Sequence, residues 1–454
     1  MLDRRQFLLT TASAAAATVL PAKALAQGPA GGSPQLAALF DSLFNEQLRQ
    51  TPESATLLGL DKGTNGDLRA KLSGADDVAR AVARALTQSQ LARLQAFPRA
   101  GLNDNDRLNL DVVTYTRRST ADVQKFNFGG NAFGPSPYVV SQLTGAYQSV
   151  PDFLDTKHPI ETKEDADAYL SRMTAFAKRL DDETARMKHD ARLGVIPPDF
   201  ILDLTSAQMR ALQVPAAETV VVKSITRRAA AKGLGDSYAR DAARIQENAI
   251  RPALDRQLAE VQALRARATH DAGIWRFKDG PEFYAVALHN TTTTRLSPAE
   301  VHKFGLDQAR MISARLDQLL KAQGMTKGSV GERMAALYKD SAQLYPNTDA
   351  GKAQAIAYCN ERLAAIRTRL PRAFNRMPPY QFEVRRVPPQ TEAGAASAFS
   401  QAPSLDGMRP GLVYFNLRDS PNGRSSAWRL RSITRGCRGI SSKAAWLCRI
   451  RICR

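Results

Sequence analysis

Residues 162–198 read TKEDADAYLSRMTAFAKRLDDETARMKHDARLGVIPP, and this stretch decides the fold class. Tyr169, Met173, Phe176, Leu180 and Met187 recur at helical spacing, which predicts a long amphipathic helix over 163–193. Thr162 stands where a cap belongs, and Gly194 followed by Pro197-Pro198 ends the pattern. The same signals recur along the chain. Residues 34–50 set Leu36, Leu39, Phe40 and Leu43 on one face behind Ser33-Pro34. Residues 298–323 open with a capping box from Ser297 to Glu300, carry Val301, Phe304, Met311, Leu316 and Leu319, and stop at Gly324. Residues 349–370 repeat Ile356, Leu363, Ile366 and Leu370 until Pro371. Long helices also fit 75–96 and 237–267. These stripes predict core faces rather than cofactor boxes.

Two stretches lack that period. Residues 124–160 are rich in Gly, Pro, Asn and aromatics, and are expected to form an ordered loop packed over the helices. Residues 381–417 hold two strand candidates, 381–387 and 412–417, across a Gly/Ala/Ser/Pro-rich connection. The expected fold is mainly α: a large multi-helix body with a small β hairpin or sheet near its C-terminal end.

The chain has 454 residues, 43% hydrophobic and 24% charged. That is ordinary globular composition, ample for a core without disulfide or metal staples. After the N-terminus no apolar run is long enough to span a membrane. The net charge is +19, but residues 421–454 alone hold eight Arg and Lys443 with no acid. The remaining body is only mildly basic and lacks a basic stripe interleaved with aromatics, which argues against nucleic acid as a partner.

Asp3-Arg4-Arg5-Gln6-Phe7-Leu8-Leu9 resembles a twin-arginine export signal, with Asp3 in place of the usual Ser or Thr. An uncharged, Ala-rich stretch follows, and Ala24-Leu25-Ala26 gives a small-x-small cleavage pattern. Residues 1–26 are therefore expected to be a signal peptide and the mature protein periplasmic. Cysteine usage fits that compartment poorly. Cys359 lies alone in a helical segment, while Cys437, Cys448 and Cys453 crowd the last residues without a Cys-x-x-Cys.

Chemistry is sparse in the body. There is no Gly-x-Ser-x-Gly elbow, P-loop, dinucleotide fingerprint or His-Glu-x-x-His. His158, His189, His270, His289 and His302 are not paired at metal-ligand spacing. His302 reads as a surface group in a first helical turn, and His189 as a group near a helix C-terminus. His289 precedes Asn290 and four Thr, a polar cluster that suits either a cleft or a turn. Asp181-Asp182-Glu183 reads as a solvated helix face.

Several segments carry a resemblance. They are Ser136-Pro137-Tyr138-Val139-Val140 through Gly145-Ala146-Tyr147, Pro151-Asp152-Phe153-Leu154, His158-Pro159-Ile160 and Gly194-Val195-Ile196-Pro197-Pro198. Further along come Leu344-Tyr345-Pro346-Asn347-Thr348, Ser404-Leu405-Asp406-Gly407, Arg409-Pro410-Gly411 and Asn416-Leu417-Arg418-Asp419. Over roughly residues 36–420 the chain resembles the bacterial "domain of unknown function 885" family. The resemblance implies a helical zincin architecture of the thimet-oligopeptidase kind, here incomplete, with zinc as the cofactor of an intact member. It also implies that the strand ending Asn-Leu-Arg-Asp is followed by a helix bearing His-Glu-x-x-Pro-Gly-His, whose Glu activates a zinc-bound water.

That motif is absent from this chain. After Ser420 an Arg-, Cys- and Trp-rich tail begins, which reads as coding sequence in the wrong frame. Codon degeneracy supports this. Joining the last nucleotide of each codon from Ser432 to Ile440 with the first two of the next can spell Tyr-His-Glu-Gly-Leu-Pro-Gly-His. The expected organisation is a signal over 1–26, a helical family domain over 27–420, and an aberrant, unpacked tail over 421–454. The expected function is a zinc-peptidase-like hydrolase, truncated and inactive in this form, with no metal ligand or catalytic residue of its own. Its partner would be a peptide, held by Tyr414, Asn416 and Arg418 on a strand that the resemblance casts as a substrate-pairing edge. Arg418 and Asp419 also suit a structural ion pair. The alternative is a non-catalytic periplasmic binding or scaffold protein with 124–160 as its contact surface. Sequence gives no oligomeric state.

Overall fold

Thr162 does cap the decisive helix. Its hydroxyl accepts from Asp165 N, and the Asp165 carboxylate accepts from Thr162 N in return. The computed structural model describes residues 32–130, 135–339, 345–372, 381–387, 392, 397–403 and 410–418. The expected signal at 1–26 and tail at 421–454 lie outside the described residues. The chain divides into two units, one ending at Arg295 and the other starting at Leu296.

The first unit is helical. Its elements are α1 (Pro34–Gln50), α2 (Pro52–Leu58), α3 (Asp77–Ala96), α4 (Asp104–Val123), α5 (Ala146–Thr156), α6 (Lys163–Arg192), α7 (Asp199–Ala211), α8 (Val220–Ala231), α9 (Ser237–Ile245), α10 (Arg251–Arg265) and α11 (Gly280–Thr292). The long α6 is the axis of the main core. Its Tyr169, Met173 and Leu180 are wholly buried among Leu154 of α5, Met209 of α7, Ile225 of α8, Ala242 of α9 and Val261 of α10. Each such apolar side chain contributes about 1.5–3 kcal/mol of burial. A second cluster joins Leu36, Phe40 and Leu43 of α1 to Leu94 of α3 and Leu110 of α4. The helix expected over 237–267 is α9 and α10 joined by a wide π turn at Gln246–Ile250. Pro252 follows that turn and has no N–H to continue the regular ladder.

The stretch 124–160 is not a loop throughout. Ala146, Tyr147, Val150, Phe153 and Leu154 fall on one buried helical face, and α5 forms around them with Pro151 inside. Pro151 masks that period, because a proline past the first turn normally ends a helix. The aromatics Phe126 and Phe128 are also buried, packed edge-to-face or tilted against Phe277 and Phe283. They are therefore core rather than contact surface.

The second unit contains α12 (Pro298–Ala322), α13 (Val330–Lys339), α14 (Asp349–Arg367) and strands β1 (Phe382–Arg386), β2 (Ala398–Gln401) and β3 (Gly411–Phe415). The Ser297–Glu300 capping box forms as expected. The two expected strands do pair, but in parallel, Val384 opposite Val413, so they are not a hairpin. The long connection supplies β2, which pairs antiparallel on the other side of β3, giving the order β1-β3-β2. A parallel pair needs a long crossover, and these residues provide it. Cys359 fills an apolar core with Val384, Val413 and Leu417. Asn360 of α14 accepts from Val384 N at 2.8 Å and donates to Val384 O at 2.9 Å, tying the helix to the outer side of β1.

Candidate functional site

The three sequence-predicted substrate residues lie on or just beyond β3. That strand is central, so both its sides are used by β1 and β2 and it offers no edge to a substrate backbone. The edge role expected for 412–417 is therefore corrected: its backbone groups are already committed to the ladder. Among the described residues the other outer strand is β2, since Asn360 covers the middle of β1.

Tyr414 is half-buried and stacks on Phe399 of β2, centroids 4.9 Å apart. Arg385 of β1 is its partner on the other side. Asn416 lies one residue past the strand and is buried. Its amide nitrogen donates to Glu392 O at 2.7 Å, and its side-chain oxygen accepts from Arg418 N at 3.0 Å. Asn416 therefore shapes the turn that leaves β3, which is a positioning role. Arg418 is exposed, and its suggested partner Asp419 is outside the described residues. Beneath the turn, Arg386 forks onto the Glu392 carboxylate at 2.7 and 3.1 Å and reaches Asp349 at 2.9 Å. The Arg386 hydrogen bonds hold the Glu392 carboxyl below its usual range.

The five histidines are dispersed, and the structure places each. His302 is exposed in the first turn of α12, as expected. His189 sits near the C-terminus of α6, 3.2 Å from Asp190 Oδ1. His270 faces Asp199 at 2.9 Å on the surface. His289 ends α11, its Nδ1 2.6 Å from Thr294 O and its ring against Tyr115. Neighbouring Thr293 has φ 58°, a strained value for a β-branched residue. Among the described residues no group of three or more His, Cys, Asp or Glu could hold a metal ion. The described residues thus do not fit a zinc centre.

Sequence reasoning missed the most highly organised polar site, which lies between α6 and the segment 56–71. Arg172 is fully buried beside Met173. It donates to Lys71 O (2.9 Å), His158 Nδ1 (2.7 Å), Thr56 Oγ1 (2.7 Å) and Leu68 O (3.1 Å), and its guanidinium lies over the Phe153 ring. His158 donates from Nε2 to Asp165 O at 2.8 Å. With one nitrogen donating and the other accepting, the imidazole must be neutral. Burial, then the Arg172 charge, pushes its pKa down to about 3. Arg69 bridges Asp61 and Asp165 beside this cluster. It also forms the wall of a cleft of about 360 Å³ lined by Asp61, Lys62, Gly63, Gly66 and Glu164. Every strong hydrogen bond here joins one piece of the fold to another, so the network clamps the short helices to α6.

Glu183 corrects the reading of the acidic run. Asp181 and Asp182 are partly exposed and paired with Arg256 and Lys178, but Glu183 is buried. It accepts from Ala146 N at 2.9 Å, capping α5, and from Arg179. The signal was available: Asp165, Arg172, Glu183, Arg186 and Asp190 share the buried side of α6 with its apolar stripe.

Comparison with known proteins gives a family and a fold. Residues 52–435 match the family described as "Bacterial protein of unknown function (DUF885)". A solved structure of a candidate lipoprotein from Colwellia psychrerythraea matches with a TM-score of 0.81 at 24% identity, over 87% of this chain and 70% of that one. A candidate lipoprotein of unknown function from Shewanella oneidensis matches with a TM-score of 0.56 at 15% identity, over 88% of this chain and 68% of that one. At these identities the likeness is one of fold. No curated protein matches the chain.

Proposed function

The chain belongs to the DUF885 family of bacterial proteins of unknown function, and from that premise we propose that it is the larger part of an exported, zinc-peptidase-like hydrolase whose catalytic motif lies in the neighbouring reading frame. One observation carries the reading. The family match continues past Ser420 and ends at residue 435. From Ser432 onward, a suitable choice of codons lets the neighbouring frame spell Tyr-His-Glu-Gly-Leu-Pro-Gly-His. Family-like sequence and the motif that the other frame can encode thus meet within a few codons, which supports a frame break near the end of the family match. In this reading the aberrant tail begins there, and the residues before it supply the scaffold without the ligands. The lipoprotein descriptions of the fold neighbours favour export, in keeping with the Arg4-Arg5 leader and a periplasmic setting. The substrate would be a peptide, its extended backbone added to the outer side of β2, with Tyr414 and Arg418 near its side chains. The chain in its present frame would neither hold zinc nor hydrolyse peptides, because the described residues offer no ligand set to lower the pKa of a bound water.

Resequencing codons 410–454 and reading past the stop tests this. One inserted or missing base that restores the motif and an open frame is the expected result. The restored protein should bind one zinc ion in calorimetry and cleave unstructured peptides, while the 27–454 chain does neither. An uninterrupted present frame, or stoichiometric sub-micromolar zinc binding by the 27–454 chain, would refute the reading.

A further inference from the structure

The outer side of β2 has a backbone pattern that can be read residue by residue. Ser397, Phe399 and Ser400 are exposed, and among the described residues no strand pairs with β2 on that side. Asn416 N donates to Ser397 O at 3.0 Å. These two residues are directly opposed, one step beyond the Ala398–Phe415 pair. In an antiparallel ladder, directly opposed bonded pairs alternate with unbonded ones. Ser397, Phe399 and Gln401 therefore turn their N–H and C=O groups to β3, while Ala398 and Ser400 turn theirs outward. The other side of β3 agrees. Val387 N donates to Phe415 O and Gly411 N to Gln381 O, which commits the odd-numbered residues of β3 to β1 and leaves the even-numbered ones to β2.

The side chains divide by face. Phe399, Tyr414 and Arg385 stand in register as one row across β2, β3 and β1. The Phe399 ring stacks on Tyr414 with the planes at 21°, so its β3-facing side is covered. The ring is still 36% exposed, and its free side is the one away from Tyr414. Ala398 and Ser400 carry small side chains on the opposite face, in line with Val384 and Val413. A strand added antiparallel to β2 bonds to Ala398 and Ser400. Its residue opposite Phe399 then falls in an unbonded pair, the closer kind, with Cα atoms about 4.5 Å apart. Aromatic cross-strand pairs are favoured there. The flanking residues of the added strand meet only Ala398 and Ser400, which offer little to select by.

We propose that Phe399 is a specificity-determining residue, which selects extended peptides carrying an aromatic side chain opposite it. The incoming ring packs on the free side of Phe399 and extends the row from Arg385 through Tyr414. This rests on the peptide-hydrolase reading and names its substrate class. Proline is excluded on either side of the aromatic residue, because the residues opposite Ala398 and Ser400 must each donate an N–H. The N–H of the aromatic residue itself points away from β2 and is not needed.

Calorimetric titration of the 27–454 chain with end-blocked pentapeptides tests this without relying on turnover. Ser-Thr-Phe-Thr-Ser should bind about tenfold tighter than Ser-Thr-Ser-Thr-Ser and slow hydrogen exchange at Ala398 and Ser400. The preference should be lost in Phe399→Ser and partly kept in Phe399→Leu. N-methylation of either Thr should abolish binding, and N-methylation of Phe should not. That series uses the unsubstituted protein, and it separates strand pairing from adhesion to exposed apolar helices. Equal affinities, no binding of either peptide, a preference unchanged in Phe399→Ser, or an N-methyl-Phe peptide weaker than the N-methyl-Thr peptides would each overturn the proposal. In the frame-restored protein, zinc binding and cleavage without an aromatic preference would overturn it and leave the hydrolase reading standing. Preferential binding of the aromatic peptide without zinc or cleavage would support it and overturn that reading.

Discussion

His158 should make the first unit sensitive to mild acid, and His158→Gln should remove that sensitivity. The folded imidazole accepts from Arg172 through Nδ1 and donates to Asp165 O through Nε2, so it has no room for a second proton. Its pKa is pushed down to about 3, from the ordinary 6.5 that the unfolded chain regains. The depressed folded value means that stability is fully present above pH 6.5. It is lost as pH falls toward 3, because the unfolded state then binds one proton more. Each pH unit inside that window costs about 1.4 kcal/mol, and the drop from pH 6.5 to 5 amounts to about 2 kcal/mol. Two buried carboxyls, Glu183 and Asp190, are raised by burial and work in the opposite direction. The difference between wild type and variant removes them from the comparison. Glutamine offers one donor and one acceptor without a titrating proton. Urea unfolding followed by circular dichroism at pH 5, 6, 7 and 8 gives both curves. They should converge toward pH 5, with a gap narrower by about 2 kcal/mol than at pH 8. Parallel curves across this range would show that His158 is not held neutral, and the tautomer argument would fail with it.

Removing the partner guanidinium should be costlier still. Arg172→Ala leaves Lys71 O, Leu68 O and the His158 ring nitrogen buried without donors, and should cost about 3–5 kcal/mol in urea unfolding at pH 7. Arg172→Lys should recover only part of this, because one ammonium cannot reach acceptors spread around a fork. In the second unit, Asn360→Ala breaks two bonds to Val384 and should cost about 1–3 kcal/mol, read as faster hydrogen exchange in β1 with α6 unchanged. Phe304, Leu306, Met311 and Ile312 stand half or more exposed on α12. The chain should therefore bind a hydrophobic dye, and Phe304→Glu with Met311→Glu should remove most of that signal without lowering Tm. An unchanged dye signal in the double variant would place the exposed apolar surface elsewhere.

The helices were legible where one physical signal dominated. The period of α6, the Ser297–Glu300 box and the Ser33 cap each depend on residues within a few turns of one another, and each formed as read. Legibility failed where long-range contacts decide. Pro151 hid α5, because the compensating contacts of Tyr147 with Ser141 and Gln208 come from the tertiary structure. The parallel pairing of β1 and β3 could not be read, since two apolar runs carry no direction until the connection between them is placed. The candidate site failed for the same reason. The family resemblance cast 412–417 as a substrate-pairing edge, yet β2 makes β3 an interior strand and Asn416 turns inward onto Glu392. The buried ions of α6 were the largest omission. A helical stripe that includes Arg172, Glu183 and Arg186 scores as less apolar, although these residues lie in the core because other segments bring carbonyls and carboxylates to meet them. Such residues advertise themselves by position: a charge on the apolar face of a helix must be paired there or neutralised. Arg172 is paired on every nitrogen, which makes it a clamp. Arg186 keeps Asp190 at 3.0 Å as its counter-charge but leaves Nη2 without an acceptor, so it is the weaker of the two.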